Sequence, residues 1–155
     1  MLKRNSFRGF ALLVSVVLAP TLTIESARAV DNMETSGDVD LTSVRAKIKA
    51  QDYKAALTEL RDLAEDTQNA DIYNLLGFTL RKTGDYATSL SYYTKALDLQ
   101  PDHKAAREYL GELYVETGHM DKAKEQLATL TKLCPAGCEE REDLQRAIAG
   151  KSASN

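Results

Sequence analysis

Tryptophan is absent from this sequence, and its 155 residues include only three prolines and eight glycines. Chains with so few breakers, and with abundant Ala, Leu, Lys and Glu, favour helices over a turn-rich β architecture. Clustered basic residues are missing too. Non-specific binding to nucleic acid or to anionic lipid needs such clusters, so neither is expected as a partner. A long apolar stretch is also lacking: the longest run, Phe10 to Ala19, is about half of the roughly 20 residues that span a bilayer. What remains is 43% apolar and 28% charged, the balance of a soluble globular domain.

The short apolar run has a recognisable setting. Lys3, Arg4 and Arg8 precede it, Pro20 breaks it, and Ala27-Arg28-Ala29 follows. This is the layout of a secretory signal peptide with an Ala-x-Ala cleavage site. Residues 1–29 are therefore expected to direct export and to be removed, leaving a periplasmic protein that begins at Val30 and is not inserted in the membrane. No cysteine follows the small residues, which argues against a lipid anchor. Loss of Lys3, Arg4, Arg8, Arg28 and Glu25 leaves 16 basic and 22 acidic residues, a net charge of −6. Residues 30–40 and 150–155 are polar and aperiodic and are read as flexible ends.

The chain repeats itself. At an offset of 34 residues, Leu76-Gly77 aligns with Leu110-Gly111, Thr83-Gly84 with Thr117-Gly118, Leu99 with Leu133 and Pro101 with Pro135. Gly77 and Gly111 remove a side chain where paired helices come closest. Gly84 and Gly118 stand just past a helix end, where a left-handed residue is wanted. Asp85 and Asp102 are read as N-caps, and Pro101 and Pro135 close the second helix of each pair. A degenerate earlier unit carries Tyr53-Lys-Ala-Ala56, Leu60 and Leu63, with Ser43-Val44 in place of Leu-Gly. The periodicity predicts helices at about 41–50, 53–66, 70–83, 86–99, 103–117, 120–133 and 139–149.

A period of this length, with Leu-Gly in one helix and Pro closing the next, resembles the tetratricopeptide repeat (TPR). The likeness extends to small secreted TPR proteins of Gram-negative bacteria. It implies an all-α TPR α-solenoid of about three helix pairs. The units run over 41–69, 70–103 and 104–135, followed by a capping helix within 136–149. Tyr73, Tyr86, Tyr93 and Tyr114 fall at the motif's large packing positions and are expected in the core, with Tyr53 and Tyr109 partly exposed.

The resemblance implies a binding module rather than an enzyme, with a protein or peptide partner held in the groove lined by the first helix of each pair. No phosphate loop, dinucleotide motif, nucleophile elbow or zinc-hydrolase helix occurs. Groove-facing positions would be Arg45 and Lys49, then Asn74, Phe78, Arg81 and Lys82, then Glu108, Glu112 and Glu116. These suggest a basic stretch followed by an acidic one, with Phe78 between. The carboxylate clamp of chaperone-binding TPR domains is not reproduced: its positions hold Leu41, Arg45, Leu75, Ala105 and Tyr109.

Cys134-Pro-Ala-Gly-Cys138 is the one chemically pointed feature. In an exported chain a single close pair is expected to form a disulfide, with Pro135 and Gly137 supplying the bend. The rival is a thiol-redox or metal-handling pair. A thioredoxin-like motif would have two intervening residues and a βαβ setting, and here there are three in a helical setting. His119 would stand about 22 Å from Cys134 at 1.5 Å per residue, and His103 one repeat away, so neither a metal site nor a cofactor is expected.

Overall fold

A computed structural model describes residues 39–153. The export signal, its cleavage site and nearly all of segment 30–40 lie outside the described residues. The described residues form seven helices: α1 (Thr42–Lys49), α2 (Tyr53–Asp66), α3 (Ala70–Lys82), α4 (Tyr86–Leu99), α5 (Lys104–Glu116), α6 (Met120–Leu133) and α7 (Glu139–Ala153). Among the described residues there is no strand, and no helix is long and apolar enough to cross a membrane.

Side chains just outside the helices set where they begin. Asp52, Asn69 and Asp85 accept hydrogen bonds from the first free N–H groups of α2, α3 and α4, each contributing about 1 kcal/mol. Asp102 does not cap α5. That role belongs to the next residue, His103, whose Nδ1 accepts from Ala106 N at 3.2 Å; Asp102 is still in the turn.

The helix ends repeat with the same period. Gly84 (φ +85°) and Gly118 (φ +80°) sit past α3 and α5. Around them Asp85 N donates to Leu80 O and Gly84 N to Arg81 O, as His119 N does to Tyr114 O and Gly118 N to Val115 O. This double bond pattern satisfies the last carbonyls of each helix. At the matching turn after α1 the left-handed residue is Gln51 (φ 60°), and the same two bonds form, from Asp52 N to Lys47 O and Gln51 N to Ile48 O. A side chain is thus carried in a conformation that costs about 1 kcal/mol outside glycine.

Two glycines let helices approach. A methyl group at Gly77 would stand 2.7 Å from the Tyr93 ring, and one at Gly111 would stand 2.5 Å from Leu144. The first contact joins α3 to α4, helped by Ser89 Oγ donating to the Gly77 carbonyl at 2.7 Å. The second seats α7 on the last pair. Val44, Leu60, Ile72, Tyr73 and Leu76 fill one core cluster, and Tyr93, Leu110 and Leu113 a second. Each fully buried Leu or Ile contributes about 2 kcal/mol.

Three expectations need correction. Tyr86, the first residue of α4, is 41% exposed, at the mouth of a crevice that it shares with Leu113 and Tyr114. Tyr114 is only half-buried, lying beside the His119 ring in the same crevice. The helix expected to stop at residue 149 continues to Ala153; a lone glycine, Gly150, costs about 1 kcal/mol and does not end a helix unaided.

Candidate functional site

The first helices of the three pairs line one groove of about 240 Å³. Arg45, Ile48 and Lys49 come from α1, Leu75 and Phe78 from α3, and Tyr109 from α5. Its floor is aromatic, with Phe78 and Tyr109 in tilted contact at 5.0 Å between ring centroids. Arg45 and Lys49 are exposed, one helical turn apart on α1, and neither makes an ion pair among the described residues. Lys82 is exposed as well, its ammonium 5.3 Å from the centre of the Phe78 ring.

Arg81 behaves differently from the surface cation expected of it. Its side chain is 2% exposed, and it donates from Nη2 to Glu112 at 2.6 Å and from Nη1 to Glu116 at 2.5 Å. Phe78 and Tyr109 pack over it, with ring centres 5.6 and 5.8 Å from its guanidinium carbon. The residue therefore ties α3 to α5 and pairs with two of the three acids read as a free acidic stripe. Pairing across adjacent helices lies beyond what one helix's spacing shows.

The third acid, Glu108, is 7% exposed. Burial pushes its carboxyl up to about 8, helped by Glu112, Asp143 and Glu140 and opposed by Arg81. Asn74, at the same repeat position on α3, is also buried, and its Oδ1 accepts no hydrogen bond among the described residues. Neither side chain is exposed at the surface. Burial likewise raises the Tyr109 hydroxyl, with Glu108 adding to the effect.

Other depressions are present among the described residues. A larger, open one of about 560 Å³ over α1 and α2 is lined by Lys47, Asp52, Lys54, Ala55, Thr58, Glu59 and Asp62. It offers no apolar side chain larger than alanine, and Lys47 is already paired with Glu59. A crevice of about 200 Å³ between α4, α5 and α6 includes Tyr86, Leu90, Leu113 and Tyr114.

Residues 80–137 match the tetratricopeptide repeat family profile. YrrB, described as a TPR protein with an unusual peptide-binding site, superposes with a TM-score of 0.57 at 23% identity, over 71% of this chain and 57% of its own. PcrH, solved in complex with the chaperone binding region of PopD, gives 0.60 at 17% identity, over 78% of this chain and 95% of its own. The chain folds as a tetratricopeptide-repeat solenoid. Within it, 66 residues are 35% identical to the uncharacterized protein ycf37 of Guillardia theta, covering 43% of this chain and 37% of that protein.

In TPR terms the groove falls on the positions where the carboxylate clamp would stand. Arg45, Leu75 and Tyr109 occupy three of them and line the cavity. The signal for Leu75 and Tyr109 was thus present in the sequence, as apolar residues at clamp positions. Ile48 had no such marker.

At the far end of the solenoid Cys134 and Cys138 are joined by a disulfide, with Cα atoms 5.9 Å apart. Gly137 (φ +110°) turns the chain between them, and Arg141 Nη1 donates to the carbonyls of Cys134 and Pro135. His103 is committed elsewhere: Nδ1 caps α5 and Nε2 lies 3.2 Å from Asp71. Both of its ring nitrogens are in use within the fold.

Proposed function

We propose that this chain is an exported scaffold that holds a segment of another polypeptide in the groove between α1, α3 and α5. The observation that carries the reading is the groove itself: an aromatic and aliphatic floor beside unpaired cations, on a stack of helices. Interface centres are built from such aromatic anchors with charges at the rim. Two structures that share the fold, YrrB with its peptide-binding site and PcrH with a region of PopD, support a binding role over a catalytic one. The export half of the proposal rests on the layout of residues 3–29 alone, and places the mature protein in the periplasm from Val30. It works as an adaptor or assembly factor there.

A photo-crosslinking residue placed at Lys49, in the groove, or at Lys132, exposed on α6, tests the binding reading in the native host. Polypeptide adducts are expected from Lys49 and not from Lys132. Equal adducts from both, or adducts from Lys132 alone, contradict it. N-terminal sequencing of the purified protein checks export: a sequence starting at Val30 agrees, and one retaining Met1 does not.

A further inference from the structure

The charged side chains that line the groove, Arg45 and Lys49, are both basic. Glu112 and Glu116 are partly exposed but held on Arg81, and Glu108 is buried, so the unpaired charges that a ligand meets are Arg45, Lys49 and Lys82. None of these three makes an ion pair among the described residues. Long-range attraction from such a set selects for negative charge and speeds encounter. The cavity, about 240 Å³, is below the range of roughly 300–1,000 Å³ usual for whole small-molecule ligands. It has room for one or two inserted side chains of a longer molecule.

We infer that the groove takes an acidic peptide segment with an apolar side chain at its centre. The apolar group sits over Leu75, Phe78 and Tyr109, and carboxylates on its flank meet Arg45 and Lys49. Those two stand four residues apart on one helix face, about 5–6 Å between Cβ atoms, a separation that neighbouring carboxylates of one segment can match. Leu75 and Tyr109 at clamp positions make the anchor an internal side chain instead of a chain terminus. This rests on the groove being the working surface, and adds the sign and the anchor of what it binds.

A phage-displayed library of random linear peptides, selected against the full chain at low salt, tests the inference. Selected peptides are expected to combine Asp or Glu with a large apolar residue and to lose binding to Phe78→Ala. Their affinity should fall about tenfold or more for Arg45→Glu with Lys49→Glu, and that double reversal should in turn select Lys- or Arg-bearing peptides. Peptides that need Phe78 but carry no acidic bias overturn the inference while leaving the groove as the binding surface. Selected peptides indifferent to Phe78→Ala overturn both. A chain that sediments as a dimer, and dissociates with Arg45→Glu, puts a second copy in the groove and also overturns the assignment.

Discussion

The two sides of the groove use their charged residues in opposite ways. On α1, Arg45 and Lys49 are exposed and without counter-charge. Across α3 and α5, Arg81 is enclosed and holds Glu112 and Glu116, while Glu108 is buried with a proton favoured by its surroundings. The first arrangement leaves charge available to a partner, and the second spends it on joining helices. Charges that look alike in sequence thus separate into function and fold once their partners are known.

Substituting Arg81 should break this contrast most severely. Arg81→Met keeps the apolar contact with Phe78 and Tyr109 but leaves Glu112 and Glu116 facing each other without their cation. The expected loss is about 2–3 kcal/mol, less than for a fully buried pair because both acids reach solvent. Thermal or urea unfolding measures it, and a change below about 0.5 kcal/mol would mean that the α3–α5 link does not depend on this residue.

Glu108→Gln should act in the other direction and with a pH signature. The folded carboxyl, raised to about 8 by burial and by Glu112, Asp143 and Glu140, keeps a proton that the unfolded chain releases near pH 4.5. Native protein therefore binds more protons than unfolded protein between those values, and stability falls as pH rises through that window. The glutamine variant lacks this loss. It should match the parent near pH 4 and exceed it at pH 8.5 by about 1 kcal/mol or more, some 4–8 °C in Tm. An equal difference at both pH values would show that Glu108 does not titrate in this way.

Arg45→Gln with Lys49→Gln should have the smallest effect on folding, within about 0.5 kcal/mol of the parent. A larger drop would mean that these cations also serve the fold, and the contrast between the two sides would disappear.

Much of the fold could be read in advance because TPR-type folding is written in local chemistry. The left-handed glycines at 84 and 118 and Asp85 at a helix start each act within a few residues of themselves, and the 34-residue period repeats such local signals. So helix boundaries lie within reach of the sequence. The misreadings occur where a residue's environment is set by another helix. Arg81 lies on the predicted helix, yet its burial depends on α5 and on Phe78 and Tyr109. Glu108 is enclosed partly by α7, which spacing on α5 cannot reveal. Tyr86 matches a packing position, yet it stands at the first residue of α4 and is only partly covered. His103 replaces Asp102 as cap through a one-residue difference in where α5 begins.

The central claim is that the α1–α3–α5 groove, and not another surface, receives the partner. Chemical-shift mapping by NMR, with a bound peptide titrated into the labelled protein, tests it most directly. The account predicts that the largest shifts fall at Arg45, Ile48, Lys49, Phe78 and Tyr109, with little change in the crevice of Tyr86, Leu90 and Tyr114. Shifts concentrated in that crevice, with the groove residues unmoved, would contradict it.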